Sequence, residues 1–250
     1  EDVRFSEKSG VLHDRAGLSV SDELSWTVIH SSDRMIISTF VSIAANGLIA
    51  VAAKISTIYT TFFSIFNTSW TEQVVLHYKD EGGPEYVCEM FDKMITFFAS
   101  IAIGIIVCIP LIFTIIVNES FTEAYGLIPW YMIAVFFNAV IGMISAIYLV
   151  ENETKQVAFS TMAAAVINVV VDFALVNQIG MYAAPISSIC GYMAISFWRL
   201  WDVNKRHCRI TMSWKKLLLL IVMLATAIAS YYSGKIWAEV AGLIFVAAVA

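Results

Sequence analysis

Charged residues are scarce in this chain, and their scarcity excludes an ordinary soluble domain. They make up 14% of its 250 residues, whereas hydrophobic residues make up 59%. A soluble domain carries about 25% charged and about 45–50% apolar residues. The composition therefore predicts a membrane protein that crosses the bilayer several times. The net charge of −5 indicates little about partners, because the positions of the charges matter more than their sum.

Cysteine is also rare, and the motifs of the common enzyme classes are absent from the sequence. The four cysteines form no C-x-x-C pair and no metal-ligand spacing, so we expect apolar fillers or reduced thiols and no disulfide framework. The sequence holds no Walker loop, no zinc motif and no nucleophile elbow. We therefore expect a protein that is not an enzyme, binds no cofactor or metal, and has no nucleic-acid partner.

Long apolar segments dominate the sequence. A helix needs about 20 apolar residues to span a bilayer, and about eight segments approach that length. We therefore predict an all-α fold, a polytopic bundle of transmembrane helices. The predicted spans are residues 24–43, 47–75, 92–117, 126–150, 156–177, 180–202, 213–231 and 235–250.

The two ends of the chain indicate a piece of a longer protein. The first twenty residues are polar, with no secretory signal and no initiating Met, and the last span is cut off at residue 250. We expect residues 1–20 to form a poorly ordered tail.

The basic residues predict the orientation of the bundle. Lys and Arg concentrate in loops on the cytoplasmic side of membrane proteins. Counting spans outward from the 203–216 connection places the 76–93 loop, the 151–155 loop and the N-terminal tail on the same side as that connection. The N-terminus is therefore predicted to be cytoplasmic. The basic residues of the 203–216 connection are Lys205, Arg206, Arg209, Lys215 and Lys216.

Two cations lie inside apolar segments, where a charge is costly unless it faces a protein interior or a water-filled cavity. They are Arg34, which follows Asp33, and Lys54 in the next segment. Polar side chains follow Lys54 at helical spacing and form one face of the predicted second helix. We predict a cavity for an anionic substrate, although packing between helices would produce a similar stripe. The predicted substrate-binding residues are Arg34, Lys54, Thr57, Thr61, Ser64 and Asn67.

A polar face is also predicted for the fifth segment, where four residues at steps of four share one side of a helix. Its last member, Asp172, is the best candidate for a counter-charge to Arg34 or Lys54. It would act either as a structural ion pair that locks two helices or as a titrating or cation-binding group. The four residues are Ser160, Ala164, Asn168 and Asp172, and the candidates for binding a coupling ion are Asp33, Asp172 and Asn168.

Leu-Ser-Trp at 24–26, Ser-Asp-Arg at 32–34 and the stretch 47–55 lie in or beside the first two predicted spans. They resemble the seventh helix and the helix after it in bacterial polysaccharide flippases, the O-antigen and exopolysaccharide exporters of the multidrug/oligosaccharidyl-lipid/polysaccharide superfamily. Residues 66–70 resemble an F-x-x-A-W ending, and 167–184 are similar to an N-x-x-L-N-x-x-L-I-P-x-x-G-x-x-G-A-A pattern. The resemblance covers about residues 17–250. The chain departs from the pattern at Asp172, Asn177 and Ala183, where Asn, Pro and Gly are common.

The resemblance implies a MATE-like transporter of two lobes, of which this chain would be the second. Residues 21–203 would form a six-helix lobe, and residues 204–250 would add two helices, the last truncated. The implied function is export of a polyprenyl-diphosphate-linked oligosaccharide across the bacterial cytoplasmic membrane, by alternating access, in polysaccharide biosynthesis. Half of a two-lobe cavity would be inactive alone. The implied partners are the lipid-linked oligosaccharide, membrane lipids, the missing N-terminal lobe and other polysaccharide assembly proteins.

Two other functions are compatible with the sequence. A multidrug or cation antiporter of the same superfamily would have a dominant buried carboxylate and few buried cations. A membrane-embedded glycosyl- or acyltransferase would need carboxylates or histidines clustered at a membrane face, where Glu119 and Glu123 are the only acidic pair in the loops predicted to be external.

Overall fold

The computed structural model describes residues 31–208, 210 and 214–233, and this part of the chain is helical with no strand. Two short 3-10 segments, Glu119–Leu127 and Gly180–Tyr182, connect longer helices. The α-helices are α1 (31–40), α2 (Ile43–His77), α3 (Gly83–Ile116), α4 (Ile128–Val150), α5 (Thr154–Ile179), α6 (Ala183–Arg206) and α7 (Trp214–Ser233).

Five helical stretches of the described chain are long and apolar enough to cross a membrane, and together they confirm an all-helical protein with several such stretches. One of them contains both α5 and α6. About eight spans stay a prediction, because the 24–43 segment is described only from residue 31, and residues 235–250, like the predicted tail at 1–20, lie outside the described residues. The five stretches are Ile43–His77, Gly83–Phe113, Glu119–Val150, Thr154–Arg206 and Lys215–Ser233.

Local sequence explains where the helices begin. The Ser42 hydroxyl accepts a hydrogen bond from the backbone N–H of Ala45 at 3.0 Å and caps α2. Gly82 adopts a left-handed conformation (φ 74°) at the N-cap of α3, two residues before Pro84 in the first turn of the helix. The prediction that this helix begins at residue 92 is wrong, because its first turns are helical although they carry polar side chains.

Helix α4 lies at the centre of the bundle. In the stretch Glu119–Val150, which contains α4, 67% of an apolar 18-residue segment is buried, against 22–44% of the corresponding segments in the other four stretches. Helices α2, α3 and α6 pack around α4, while α5 packs mainly on α6 and α7 mainly on α3. Three neighbouring helices therefore cover α4.

The contacts between helices fix their relative directions. Ser196 of α6 donates to the Phe137 carbonyl of α4, and Arg199 of α6 donates to the Ile141 carbonyl of α4. The contacts follow the same order along both helices, so α4 and α6 run parallel. Asn168 of α5 meets the start of α6, whereas the start of α5 meets Arg199, so α5 and α6 run antiparallel. The chain reverses between them at Gly180, whose φ is 58°.

Alternating directions bring the basic turns to one end of the bundle, which we call the basic end. There Arg206 of α6 donates to Glu153 in the turn before α5 at 2.8 Å. The segment Glu119–Leu127 lies at the opposite end, where Phe121 lies near Gly47 of α2. Orientation relative to a membrane stays a prediction. The basic residues at or near the basic end are Lys79, Lys93, Lys155, Lys205, Arg206, Lys215 and Lys216.

The expectation of four unpaired cysteines is wrong for two of them. Cys88 and Cys208 form a disulfide, although 120 positions separate them in sequence. Cys88 lies in the first turns of α3 and Cys208 follows α6, and both regions lie at the basic end. Sequence spacing does not reveal a pairing that depends on two helices meeting at the same end of the bundle.

Candidate functional site

Arg34 and Lys54 line one open hollow of about 480 Å³ between α1, α2 and α4. The same hollow is bordered by Thr57 and Thr60 of α2 and by Tyr131 of α4. The two cations come from different helices, so the folded chain brings together charges that lie twenty positions apart in sequence. The hollow therefore presents two positive groups to any solute that enters it.

Both cations are exposed in the part of the chain that the structure describes. Among the residues that the structure describes, neither makes an ion pair with a carboxylate. The physical reason is that no described helix covers the face of α2 that carries Lys54. A cation that keeps its donors available in a hollow is suited to binding an anion.

The other predicted substrate-binding residues are distributed along α2. Thr57 lines the hollow with Lys54, and its hydroxyl also donates to the Ala53 carbonyl at 3.0 Å. Thr61 lines a second hollow, described below, whereas Ser64 is exposed and lines neither. Asn67 is half-buried near Gly142 of α4, and its Oδ1 has no hydrogen-bond partner in the described chain.

The three candidates for ion coupling lie together in the interior. Asp33 is 2% exposed, Asp172 is fully buried and Asn168 is 1% exposed. The Asn168 amide donates to Ser188 Oγ at 3.2 Å, and Ser188 Oγ donates to Asp33 Oδ2 at 3.4 Å. The Asp33 and Asp172 carboxylates are close enough to interact directly. We call Asp33, Asp172 and Asn168 the carboxylate pocket.

Several oxygen atoms of the carboxylate pocket have no hydrogen-bond donor within the described chain. They are Asp33 Oδ1, Asn168 Oδ1 and both carboxylate oxygens of Asp172. A buried carboxylate without a donor is costly unless it is protonated or coordinates a cation. An all-oxygen set of two carboxylates and an amide suits a proton or a hard cation.

Asp172 is not the counter-charge of Arg34 or Lys54, contrary to the sequence-based expectation. It faces Asp33 instead, because α1 presents its two adjacent charges in different directions: Asp33 toward α5 and α6, and Arg34 toward the hollow. Tyr131 lines the hollow and interacts electrostatically with Asp33, Asp172 and Arg34. The hollow and the carboxylate pocket are therefore neighbours that share α1 and Tyr131.

A second buried polar cluster is centred on Arg199, which the sequence analysis did not predict as a site residue. Arg199 is fully buried. A guanidinium has five N–H donors, and Arg199 makes five hydrogen bonds. Their acceptors are Ser160 Oγ, Ser145 Oγ, Thr161 Oγ1 and the carbonyls of Ile141 and Val157.

Helical spacing in α6 contains a signal for the Arg199 cluster. Ser188, Tyr192, Ile195 and Arg199 follow one another at steps of three or four, so they share one face. All four are buried. An arginine that continues a buried face inside an apolar helix differs from the exposed basic residues that follow it in sequence.

Comparison of the chain with models of protein families, with curated proteins and with solved structures finds no match.

Proposed function

We propose that this chain is part of a bacterial inner-membrane exporter that moves a polyprenyl-diphosphate-linked oligosaccharide by alternating access. The observation that carries the proposal is the open hollow lined by Arg34 and Lys54, neither of which makes an ion pair in the described chain. The substrate class comes from the sequence resemblance to polysaccharide flippases. A diphosphate is an anion with several acceptor oxygens, which complements two cations from different helices.

The apolar helices that border the hollow strengthen its preference for an anion. It lies beside α1, α2 and α4, and α2 and α4 belong to stretches apolar enough to cross a membrane. A charge in such a position interacts more strongly than at a water-exposed surface, because the surrounding dielectric constant is lower. Removal of either cation should therefore weaken substrate binding much more than removal of a surface lysine.

The carboxylate pocket supplies a means of coupling transport to a cation gradient. Asp33 and Arg34 are consecutive residues of α1, and Tyr131 adjoins both the pocket and the hollow. A cation or proton that enters the pocket reduces its negative charge, and this change acts on the nearby Arg34 and on an anion beside it. Binding at the two places is then linked, and the linkage is reciprocal.

The proposal includes a second lobe that completes the cavity. The hollow is open on the side of Arg34 and Lys54, both of which are exposed. A missing lobe would enclose the hollow on that side. With the basic end in the cytoplasm, substrate would enter from that side, where other polysaccharide assembly proteins produce it. Cytoplasmic reductants would then keep Cys88 and Cys208 as thiols, and their disulfide would form in the oxidised, purified protein.

The test uses the full-length protein and measures export of a lipid-linked oligosaccharide from proteoliposomes. Arg34→Ala and Lys54→Ala should each lower export at subsaturating substrate roughly ten- to a hundredfold, since a hydrogen bond to a charged group contributes about 1.5–3 kcal/mol. Lys79→Ala, which removes a lysine from a turn at the basic end, is the matched control and should export normally. Normal export by both cavity variants at equal protein levels would refute the anion-binding function.

The buried carboxylate pocket favours a second candidate, a cation-coupled multidrug antiporter. Such a protein needs a dominant buried carboxylate, and Asp33 and Asp172 are buried while Arg34 and Lys54 are exposed. The same proteoliposomes decide between the two functions. An antiporter would export a lipophilic cationic dye and lose that activity in Asp33→Asn, whereas the proposed exporter moves the anionic lipid and is indifferent to the dye.

A further inference from the structure

The second hollow beside α2 has a different lining from the first. It measures about 930 Å³ and lies between α2 and the segment that follows α3. Its walls are mainly apolar, formed by residues that include Ile55, Ile58, Phe62, Ile65, Val117 and Phe121. The smaller hollow has Arg34, Ser56, Thr60 and Tyr131 on its walls instead.

Lys54 and Thr57 belong to both hollows. An α-helix has about 3.6 residues per turn. Around the axis of α2, Ser56 and Thr60 therefore lie on one side of Lys54. Ile55 and Phe62 lie on the other side. The two hollows are therefore adjacent compartments that meet at Lys54. The apolar compartment extends from Val51 to Ile65, a rise of about 21 Å along the helix at about 1.5 Å per residue.

We infer that one amphiphilic ligand occupies both compartments, with its anionic group at Arg34 and Lys54 and its apolar chain against Ile58, Phe62 and Ile65. This assignment rests on the proposed function and adds to it a binding subsite for the chain of the lipid. Two observations support the inference: the two cations complement an anionic group, and the two hollows are continuous at Lys54. The cations mark where the anion binds, and the apolar walls begin at the same lysine.

Exposure of the apolar wall is consistent with a ligand that covers it. Ile58 is 68% exposed, Phe62 46% and Ile65 69%. Lipid ordinarily covers exposed apolar side chains on a membrane-crossing helix, so exposure alone does not mark a binding site. This surface differs because it forms a hollow that shares Lys54 with the polar hollow. Here the surface adjoins two cations without carboxylate partners in the described chain, and that neighbour selects an anionic amphiphile over a neutral one.

The experiment measures binding of farnesyl diphosphate and of inorganic diphosphate to the purified full chain in phosphatidylcholine nanodiscs, with empty nanodiscs as background. Farnesyl diphosphate should bind the native chain at least about tenfold more tightly than inorganic diphosphate, because the chain buries several carbon atoms. The double variant Ile58→Ser/Ile65→Ser should lose that advantage and keep its affinity for inorganic diphosphate. Lys54→Ala should weaken binding of both ligands.

The matched control is Phe159→Ser/Met162→Ser on α5, where the native side chains are 74% and 63% exposed and line neither hollow. It should bind both ligands like the native chain. The inference is overturned if the two ligands bind the native chain equally well, or if the control loses as much affinity for farnesyl diphosphate as the α2 variant. In either case inorganic diphosphate binding that depends on Lys54 would leave the proposed anion site standing. Absence of binding by both ligands would overturn the inference together with that site.

Discussion

Two polar clusters lie buried between α5 and α6, and they differ in whether their hydrogen-bonding groups are matched. Around Arg199, five donors meet five acceptors from α4 and α5. In the carboxylate pocket, four oxygen atoms of Asp33, Asp172 and Asn168 have no donor in the described chain. Ser160 and Asp172, which belong to the two clusters, are about 18 Å apart along α5 at about 1.5 Å per residue.

The comparison indicates that hydrogen-bond matching, rather than burial, separates a structural cluster from a binding site. Both clusters are almost completely buried. A buried charge with all its hydrogen bonds made stabilises one arrangement of helices. A buried carboxylate pair with unmatched oxygens is stable only with a proton or cation bound, so its occupancy depends on the pH and on the concentration of that cation.

The largest effect on stability is expected for Arg199→Ala. This change removes five hydrogen bonds and leaves a cavity between three helices, which should lower the free energy of unfolding by about 3 kcal/mol or more. Denaturant unfolding of the detergent-solubilised protein measures the loss. Arg199→Lys should be intermediate, because an ammonium has only three donors. An Arg199→Ala protein as stable as the native chain would show that the matched cluster does not hold the helices together.

The next effect is stabilisation by a bound cation. Sodium chloride at 100 times its dissociation constant should raise the free energy of unfolding by about 2.7 kcal/mol, whereas choline chloride at equal ionic strength should not. Asp33→Asn and Asp172→Asn should each abolish the difference between the two salts. If neither sodium nor a fall in pH stabilises the native chain more than these variants, the carboxylate pocket is not a cation site.

A smaller loss of stability is expected for Gly191→Ala, which should lower the free energy of unfolding by about 2 kcal/mol. This variant tests the close approach of α5 and α6 between the two clusters. A Cβ at this position would lie 2.8 Å from the Ala164 carbonyl oxygen, so α5 and α6 would have to separate. Gly104→Ala is the matched control, because no described atom outside its own stretch of helix backbone lies within 4 Å of its added Cβ. Equal stability of the two variants in a denaturant titration would mean that close approach of α5 and α6 is not required.

The smallest effect on stability is expected for the cations of the hollow. Arg34 and Lys54 are exposed and make no ion pair in the described chain, so their replacement by Ala should change the free energy of unfolding by no more than about 0.5 kcal/mol. The same variants should lose export. A large destabilisation by either variant would assign these residues to the structural class represented by Arg199.

Hydropathy predicted the helical class and the order of the segments, because apolar length is a property of each segment alone. It placed the start of α3 wrongly, since the polar first turns of that helix lie outside the apolar run. Spacing in α5 predicted a shared face for Ser160, Asn168 and Asp172, and all three are buried. The spacing did not predict that Ser160 belongs to the Arg199 cluster while Asn168 and Asp172 belong to the carboxylate pocket, because their hydrogen-bond partners come from other helices.

Arg34 and Arg199 show why burial of a single side chain is difficult to predict from the sequence. Each is an arginine beside apolar sequence, yet the first is exposed in a hollow and the second is fully buried. The difference depends on whether another helix covers the residue. Whether another helix covers a residue depends on how the whole bundle packs, and the periodicity of one helix does not predict it.

The disulfide between Cys88 and Cys208 closes a ring of chain that contains most of α3, then α4, α5 and α6. A single backbone cut within this ring, for example in Glu119–Leu127, leaves both fragments attached to each other through sulfur. Cleaved protein would therefore migrate as one covalent species until a reductant separates it into two. In a protein without this bond, the same cut would leave two fragments with no covalent connection.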